Sequence, residues 1–586
     1  MKNIHLYLVV NVIYYMIVFS RGQIEDSEPF VRSNFGLHKI APSIELEEEE
    51  ILQNGGDLVC HDRNGHDELF SLFVIGLTKR HPIPTKVLNI TIVGAGITGL
   101  TAGILLKNAG HNVQILEASH TLGGRIQTFR NVEEEWHVEW GPMRFPRNQF
   151  FTQYLLHKFQ LRLTEFKLSS NKTFYFIGGQ TFSKSHYSNV YELPFVKILY
   201  NLTREEMNIK IKDFYNEPMK APLQDLATLP WKEFVKKYDK YSFRSYLREK
   251  QGYSPEHAGL VHLIGTMAEL EGLMDMSMVE VTHDECIFGQ SILDTIVDGT
   301  DTLIQNLAKE IISQVSLNTV VKEIYHSKDA TLVKFNCIGF DCQSKHSSIK
   351  SDFVILTPLP TVVSRISFSP LLTTSKRYTL RTARISSAVK VVLTFNTPFW
   401  EKLGIKGGKS VTDLPSKSIV YPSFSFKGGL GVLLVSYTWG TDASRQEGMT
   451  DDDIITECLY TLSKVHNLSE KEVRIRFRKG YVKKWGKDPF TVGAFGAFAP
   501  HFFNDWFDEF QKPEGRVVFA GDTYENLHGW IDSSLKSATR AFKYIHDVSQ
   551  GKDLILPADS PFYDTEKKNK DRLRKQKDGH HKFNIY

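Results

Sequence analysis

The stretch from Lys86 to Gly99 limits what this chain can fold into more than any other. Lys86 to Val93 (KVLNITIV) reads as a buried strand that runs directly into Gly94-Ala95-Gly96-Ile97-Thr98-Gly99. Helix-compatible residues then continue to Ala109, with Gly110 as the C-cap. Strand, glycine turn and helix in that order open a Rossmann fold. Gly94 permits the tight turn, Gly96 lets a pyrophosphate approach the backbone, and Gly99 lets the helix pack closely on the strand. The helix start, with Ile97 and Thr98, turns its amides toward the phosphate charge. Asn112 to Leu116 predicts a second strand, followed by Glu117 and Ala118. Glu117 stands where, about 20 residues beyond the glycines, an acidic side chain accepts hydrogen bonds from ribose hydroxyls. A carboxylate there disfavours a ribose 2′-phosphate, which leaves NAD or FAD.

The rest of the composition is that of an ordinary globular chain. With 586 residues, 41% hydrophobic and 24% charged, it has room for several domains, and disorder of the whole is excluded. A net charge of +4, from 71 basic and 67 acidic residues, gives no global reason for nucleic acid as a partner. Charge gathers instead at the ends: Glu45 and Glu47 to Glu50 near the start, and a lysine- and arginine-rich run after Lys567. Both read as solvated termini. Residues 1–22 carry Lys2, an apolar run from Leu6 to Phe19 and then Ser20-Arg21-Gly22, which resembles a secretory signal with Gln23 as the mature N-terminus. The run is short for a span of roughly 20 residues, and no second stretch approaches one, so no stable membrane span is expected. Secretion is the expected destination; an uncleaved anchor and an endolysosomal or granule lumen are the alternatives. The 5 cysteines are scattered and lack zinc-site spacing, so neither a disulfide scaffold nor a metal site is expected. Sequons begin at Asn89, Asn171, Asn201 and Asn467, and Asn89 is set aside because it falls inside a predicted buried strand.

Gly123-Gly124-Arg125 follows the second strand. Together with Glu117 this spacing resembles the FAD signature of the flavin amine oxidase family, in which Arg125 would neutralise diphosphate charge, so FAD is the cofactor implied. Further segments resemble that family and, within it, the secreted animal L-amino-acid oxidases. Trp140-Gly141-Pro142-Met143-Arg144 is similar to a loop beside the flavin, and the resemblance gives Arg144 the substrate carboxylate, which a planar fork pairs with in two-pronged fashion. Arg516 to Asp522, followed by His528-Gly529-Trp530-Ile531-Asp532-Ser533-Ser534, resembles the closing flavin site. It implies Asp522, where glutamate is usual, on the ribityl or phosphate region. It also implies amides of the Ile531 to Ser534 helix start, capped by Asp532 or Ser533, at the pyrimidine end of the flavin. Gly529 would offer its carbonyl to the substrate amine, and Trp530 would wall the site. His283, in Thr282-His283-Asp284-Glu285, matches a histidine that lies over the substrate and assists removal of the ammonium proton or positions the substrate. Lys390 interrupts the apolar run Ala388 to Val392 and, as a buried ammonium, needs a partner. The resemblance assigns it a water bridge to flavin N5, assigns Tyr437 a supporting bond to the carboxylate, and places the backbone of Val321 against adenine.

The resemblance runs from about Cys60 to Lys543, with one departure. Venom-type relatives use two disulfides, whereas only Cys60 has a counterpart here, so stability is expected from other sources. The implied fold is α/β: a Rossmann-type FAD-binding domain (84–126, 302–382 and 511–548) interleaved with a mixed-sheet substrate domain (59–83, 127–183 and 387–485). A helical insertion (184–290) completes it, flanked by a signal peptide (1–22), an acidic segment (23–58) and a basic tail (549–586). The implied activity is oxidation of L-amino acids by O2 to 2-oxo acids, ammonia and hydrogen peroxide, and the implied assembly is a homodimer. Two other readings stay open. One is an amine or polyamine oxidase of the same superfamily, whose site favours aromatic walls and acidic groups; the other is a non-catalytic secreted FAD-binding protein.

Overall fold

In a computed structural model of the chain the described residues are 63–78, 84–184, 201–210, 213–265, 271–290, 292–338 and 346–556. The chain divides into two compact units, Met1–Val59 and Cys60–Tyr586, and every described residue belongs to the second. The expected signal peptide, the acidic segment and residues 557–586 of the basic tail lie outside the described residues.

Five parallel strands form the first sheet, in the order Val315–Ser316, Asn112–Leu116, Asn89–Val93, Phe353–Leu356 and Val517–Phe519. Phe353–Leu356 is buried at all four positions, as a strand covered on both faces must be. Asn89–Val93 is buried after its first residue. Asn89 itself is exposed, which corrects the reason for setting its sequon aside: only the rest of the strand is buried. Register pairs Val93 with both Leu116 and Leu356, and Leu356 with Phe519, so the carboxyl ends of these strands finish level at one edge. Helix Ile97–Asn108 is buried continuously from Ile97 to Leu106. A helix apolar on all sides has to be enclosed; this one packs against helices Arg63–Leu77, Asp301–Ile311 and Ile531–Ser549.

A second sheet has seven strands, in the order Phe477–Lys484, Ala388–Phe395, Gly431–Trp439, Ser418–Val420, Lys409–Thr412, Phe174–Ile177 and Gln180–Ser183. Ala388–Phe395 is buried at all eight positions, Lys390 among them. Lys390 is paired in register with Tyr437 on Gly431–Trp439, so the two side chains share a face. A smaller sheet contains Thr319–His326 and carries Val321. The described residues between 204 and 290 fold into helices, ending in Met278–Gln290. Among the described residues no helix is long and apolar enough to cross a membrane.

The cysteines depart from expectation. Cys286 and Cys337 are both disulfide-bonded, and Cys458 is free and buried. Disulfides therefore do contribute to this fold, although the spacing of the cysteines gave no sign of them.

Candidate active site

At the level edge of the parallel sheet lies a cavity of ≈ 1070 Å³. Its lining starts with Glu117 and Ala118 at the end of the second strand, passes Gly94, Gly96, Ile97 and Thr98, and continues along Arg125. Val321 joins one side; Gly141, Pro142, Tyr437 and Gly529 complete the far part together with Trp530 and Ile531. Glu117 is buried and oriented by two amides: Ala95 N donates to Oε2 at 2.6 Å and Ser119 N to Oε1 at 2.8 Å. A Cβ on Gly96 would meet only Gly123 O, at 3.8 Å, so the backbone is open to a close-lying group. Gly96 is also the N-cap of Ile97–Asn108 and makes no side-chain cap bond, which leaves the first helical amides available to an anion. A carboxylate, a bare helix start and an arginine along one elongated cavity fit FAD. Gly99 is set back against Ile92 of the strand and does not line the cavity.

Arg125 is tied to Asp522. Its Nη2 donates to Asp522 Oδ1 and its Nη1 to Oδ2 at 3.1 Å, while the Gly529 amide donates to the same Oδ2 at 3.1 Å. Burial alone would raise the Asp522 carboxyl, but Arg125, His528 and the Gly529 amide hold it below the usual range. Its carboxylate thus fixes Arg125 relative to the Gly529 turn, at the border of the cavity.

A second cavity of ≈ 100 Å³ adjoins the first and shares Gly141, Pro142, Tyr437, Phe495, Gly529 and Trp530 with it. Met143, Arg144 and Lys390 line this smaller space. The loop that carries Arg144 is held through four successive carbonyls. Lys390 Nζ donates to Glu139 O at 3.0 Å and to Gly141 O at 2.6 Å, Trp485 Nε1 to Trp140 O at 3.0 Å, and Thr300 Oγ1 to Pro142 O at 3.1 Å. The carbonyls of Glu139 and Gly141 are partners for the buried ammonium that the apolar strand demanded. Burial pushes the neighbouring Glu139 carboxyl up to about 7, against the pull of Thr300, Thr128 and Lys390. The guanidinium of Arg144 rests 4.5 Å over the Phe288 ring, a cation–π contact that sets its orientation.

The helix Met278–Gln290 forms the opposite wall. Glu280, Asp284 and Phe288, at i, i+4 and i+8, present one face to the small cavity. Both oxygens of Glu280 lie at 2.7 and 2.8 Å from His528 Nδ1, and this pairing lifts the buried imidazole above its ordinary value although burial alone would lower it. Trp530 Nε1 donates to Asp284 Oδ1 at 3.3 Å. Burial pushes the Asp284 carboxyl up to about 6, with Arg144 and Trp530 opposing. The His528-Gly529-Trp530 turn is thus pinned to this helix on both sides of Gly529.

Arg144, Lys390, Tyr437, Gly529 and Trp530 come together as expected, but His283 does not join them. It is buried behind the wall, stacked on Trp231 at 4.9 Å and 5°, and its Nδ1 lies 2.8 Å from Asn526 O. Burial lowers its imidazole to about 4, so it is neutral near pH 7. His283→Ala is expected to change kcat/KM by less than about 10-fold while costing about 1–3 kcal/mol of stability through lost stacking. Steady-state kinetics and denaturant unfolding on the same preparation check both. The helix start at Ile531 also differs from expectation. Its N-cap is Trp530 with no side-chain cap, and Asp532 instead accepts from Thr152 N at 2.9 Å and Thr152 Oγ1 at 3.2 Å. Neither Asp532 nor Ser533 lines either of these two cavities, whereas Ser534 lines the large one. Glu280, Asp284 and Phe288 were not singled out from the sequence; their spacing of four was the available signal. Among the described residues no cluster of metal-ligating side chains occurs.

Comparison with known proteins agrees with this geometry. Residues 97–546 match the family described as flavin containing amine oxidoreductase. The chain is 33% identical over 488 residues to an L-amino-acid oxidase of Siganus canaliculatus, covering 82% of this chain and 89% of that protein. It is 32% identical over 494 residues to an L-amino acid oxidase of Bothrops pictus, covering 84% and 96%. Among solved structures, a putrescine oxidase redesigned in its cofactor binding superposes with a TM-score of 0.65 at 19% identity, covering 79% of this chain and 99% of that one. Cyclohexylamine oxidase from Brevibacterium oxydans IH-35A gives 0.63 at 16%, over 79% and 99%. At such identities these structures speak for the fold alone.

Proposed function

The chain belongs to the flavin-containing amine oxidoreductases, and from that premise we propose that it oxidises L-amino acids, using FAD and O2, to 2-oxo acids, ammonia and hydrogen peroxide. The observation that carries this reading is Arg144: a guanidinium facing a small cavity that adjoins the cofactor cavity, on a loop anchored through four carbonyls. A site for simple amines has no use for a carboxylate-binding fork. The 32–33% identity with L-amino-acid oxidases over more than four-fifths of the chain supports the same conclusion.

In this mechanism Arg144 takes the substrate carboxylate in two-pronged fashion, with the Tyr437 hydroxyl beside it in the same cavity. The Gly529 carbonyl accepts from the substrate amine. Two fixed groups and a walled side chain leave only the L enantiomer with its α-hydrogen toward the cofactor cavity. Trp439, Phe495 and Trp530 keep water from the reacting carbon. Lys390 holds the backbone from Glu139 to Gly141, and so the reach of Arg144. Bound FAD supplies the two-electron oxidation itself; the chain supplies binding, orientation and electrostatics. In the same reading residues 84–126, 302–382 and 511–548 carry the cofactor, 59–83, 127–183 and 387–485 the substrate sheet, and 184–290 the helical wall. Residues 1–22 direct secretion, and the protein assembles as a homodimer.

Asp284 and the aromatic walls Trp439, Phe495 and Trp530 also suit an amine oxidase, whose substrate is a cation. Peroxide release measured across the L-amino acids, their D enantiomers, putrescine and spermine decides between the readings. Turnover of L-amino acids alone is expected. Turnover of amines alone would move the protein to the amine oxidases, and bound flavin without any turnover would leave a non-catalytic FAD-binding protein.

A further inference from the structure

We propose that Asp284 makes the small cavity selective for L-amino acids with a cationic side chain, the class of lysine, ornithine and arginine. The inference rests on the oxidase reading for its reaction, though not for its binding. Two carboxylates on the helix Met278–Gln290 face this cavity, and they differ in how their charge is met. Glu280 is paired with His528 Nδ1 at 2.7 and 2.8 Å and is balanced inside the protein. Asp284 receives one long bond, 3.3 Å, from the indole of Trp530, and the cation whose field it feels most is Arg144, whose guanidinium rests over Phe288 one turn along the same helix. Its sequence neighbour Glu285 is engaged with Tyr215 and does not line this cavity.

Substrate binding removes the balance on Asp284. When a carboxylate engages Arg144 the guanidinium is neutralised, and Asp284 has either to carry an unmet charge or to take up a proton in a space walled by Leu273, Met276, Leu527 and Trp439. An uncompensated charge in such surroundings is costly. The α-amine cannot supply the lasting counter-charge, because it has to be neutral when the α-C–H bond breaks and is already directed at Gly529. A distal ammonium or guanidinium on an aliphatic stem supplies it: the stem lies along the apolar wall and the cation reaches Asp284. A neutral side chain leaves the charge unmet, and an acidic one adds a second like charge.

Calorimetric titration of the purified flavin-loaded protein with ε-aminocaproate and caproate tests this without turnover. Both ligands present the carboxylate to Arg144, both lack the α-amine, and only the first carries a distal ammonium at the position of the lysine side-chain nitrogen. ε-Aminocaproate is expected to bind about 10- to 100-fold more tightly, the range of a hydrogen bond to a charged group. Asp284→Asn, which keeps an acceptor for Trp530 Nε1, is expected to erase the difference. Equal affinities in the unmodified protein overturn the proposal, and so does a preference that survives in D284N. The first comparison decides even if the variant does not fold. In parallel, kcat/KM for L-lysine is expected to exceed that for L-norleucine, equal in length, by a similar factor. If neither amino acid is oxidised while the ligand preference stands, the oxidase reading fails and the cation site survives. If both are oxidised equally and both ligands bind equally, the cation site alone fails.

Discussion

Replacing Arg144 by alanine is expected to lower kcat/KM for L-amino acids by about 30- to 4,000-fold, the ~2–5 kcal/mol that follows when one partner of a buried charge pair is removed. The substrate carboxylate enters a cavity of ≈ 100 Å³ where Lys390 is occupied with the carbonyls of Glu139 and Gly141 and His528 with Glu280. No other guanidinium lines that space to take over. Arg144→Lys keeps the charge and loses the fork, so it should recover only part of the loss. Flavin content should not change, because Arg144 lines the small cavity and not the large one. Absorbance at the flavin bands, measured beside the kinetics, separates the two effects. An R144A protein with full flavin and undiminished kcat/KM would mean that the carboxylate is held elsewhere, and the L-amino-acid reading would fall with it.

The features legible in the sequence are those whose cause is local. Strand Asn112–Leu116 lies where its apolar run predicts, and Glu117 faces the cavity because a strand end and a glycine turn fix each other within a few residues. Lys390 was legible as a need, since an ammonium in an apolar strand requires partners, but not as a solution. Its partners lie 251 and 249 residues away in sequence. Asp532 looks like a helix cap from its position, yet Thr152, 380 residues away, takes its carboxylate. The difference between His283 and Asp284 was the hardest to read. One residue along a helix is a rotation of about 100°, enough to turn His283 onto Trp231 and Asp284 into the cavity. Met278–Gln290 has no clean polar stripe to reveal this, because Met278 to His283 are all buried, including the side away from the site. Resemblance selected the residue with the familiar chemistry; packing selected its neighbour.

Gly141→Ala, which changes no functional side chain, is expected to lower both flavin content and kcat/KM, the latter by about 100-fold, as a displacement of about 1 Å at a catalytic group can do. A Cβ at this position would overlap the carbonyl oxygen of Arg125, and the next nearest atoms are the Arg125 carbonyl carbon at 3.0 Å and Ile126 Cα at 3.4 Å. All three are backbone, so no side chain can rotate aside. The strain has to move either the segment around Arg125 or the loop from Glu139 to Arg144. Movement of the first shifts Arg125 and its link through Asp522 to the Gly529 amide. Movement of the second pulls against Lys390, Trp485 and Thr300, which hold four successive carbonyls, and the displacement passes to Arg144. Flavin absorbance and kinetics on one preparation show which segment yields. Lost flavin with normal kcat/KM per bound flavin points to the Arg125 side, and full flavin with raised KM points to the loop. A G141A protein normal in both would mean that the contact between the two segments gives way freely, and that Arg144 is not held by the backbone that carries it.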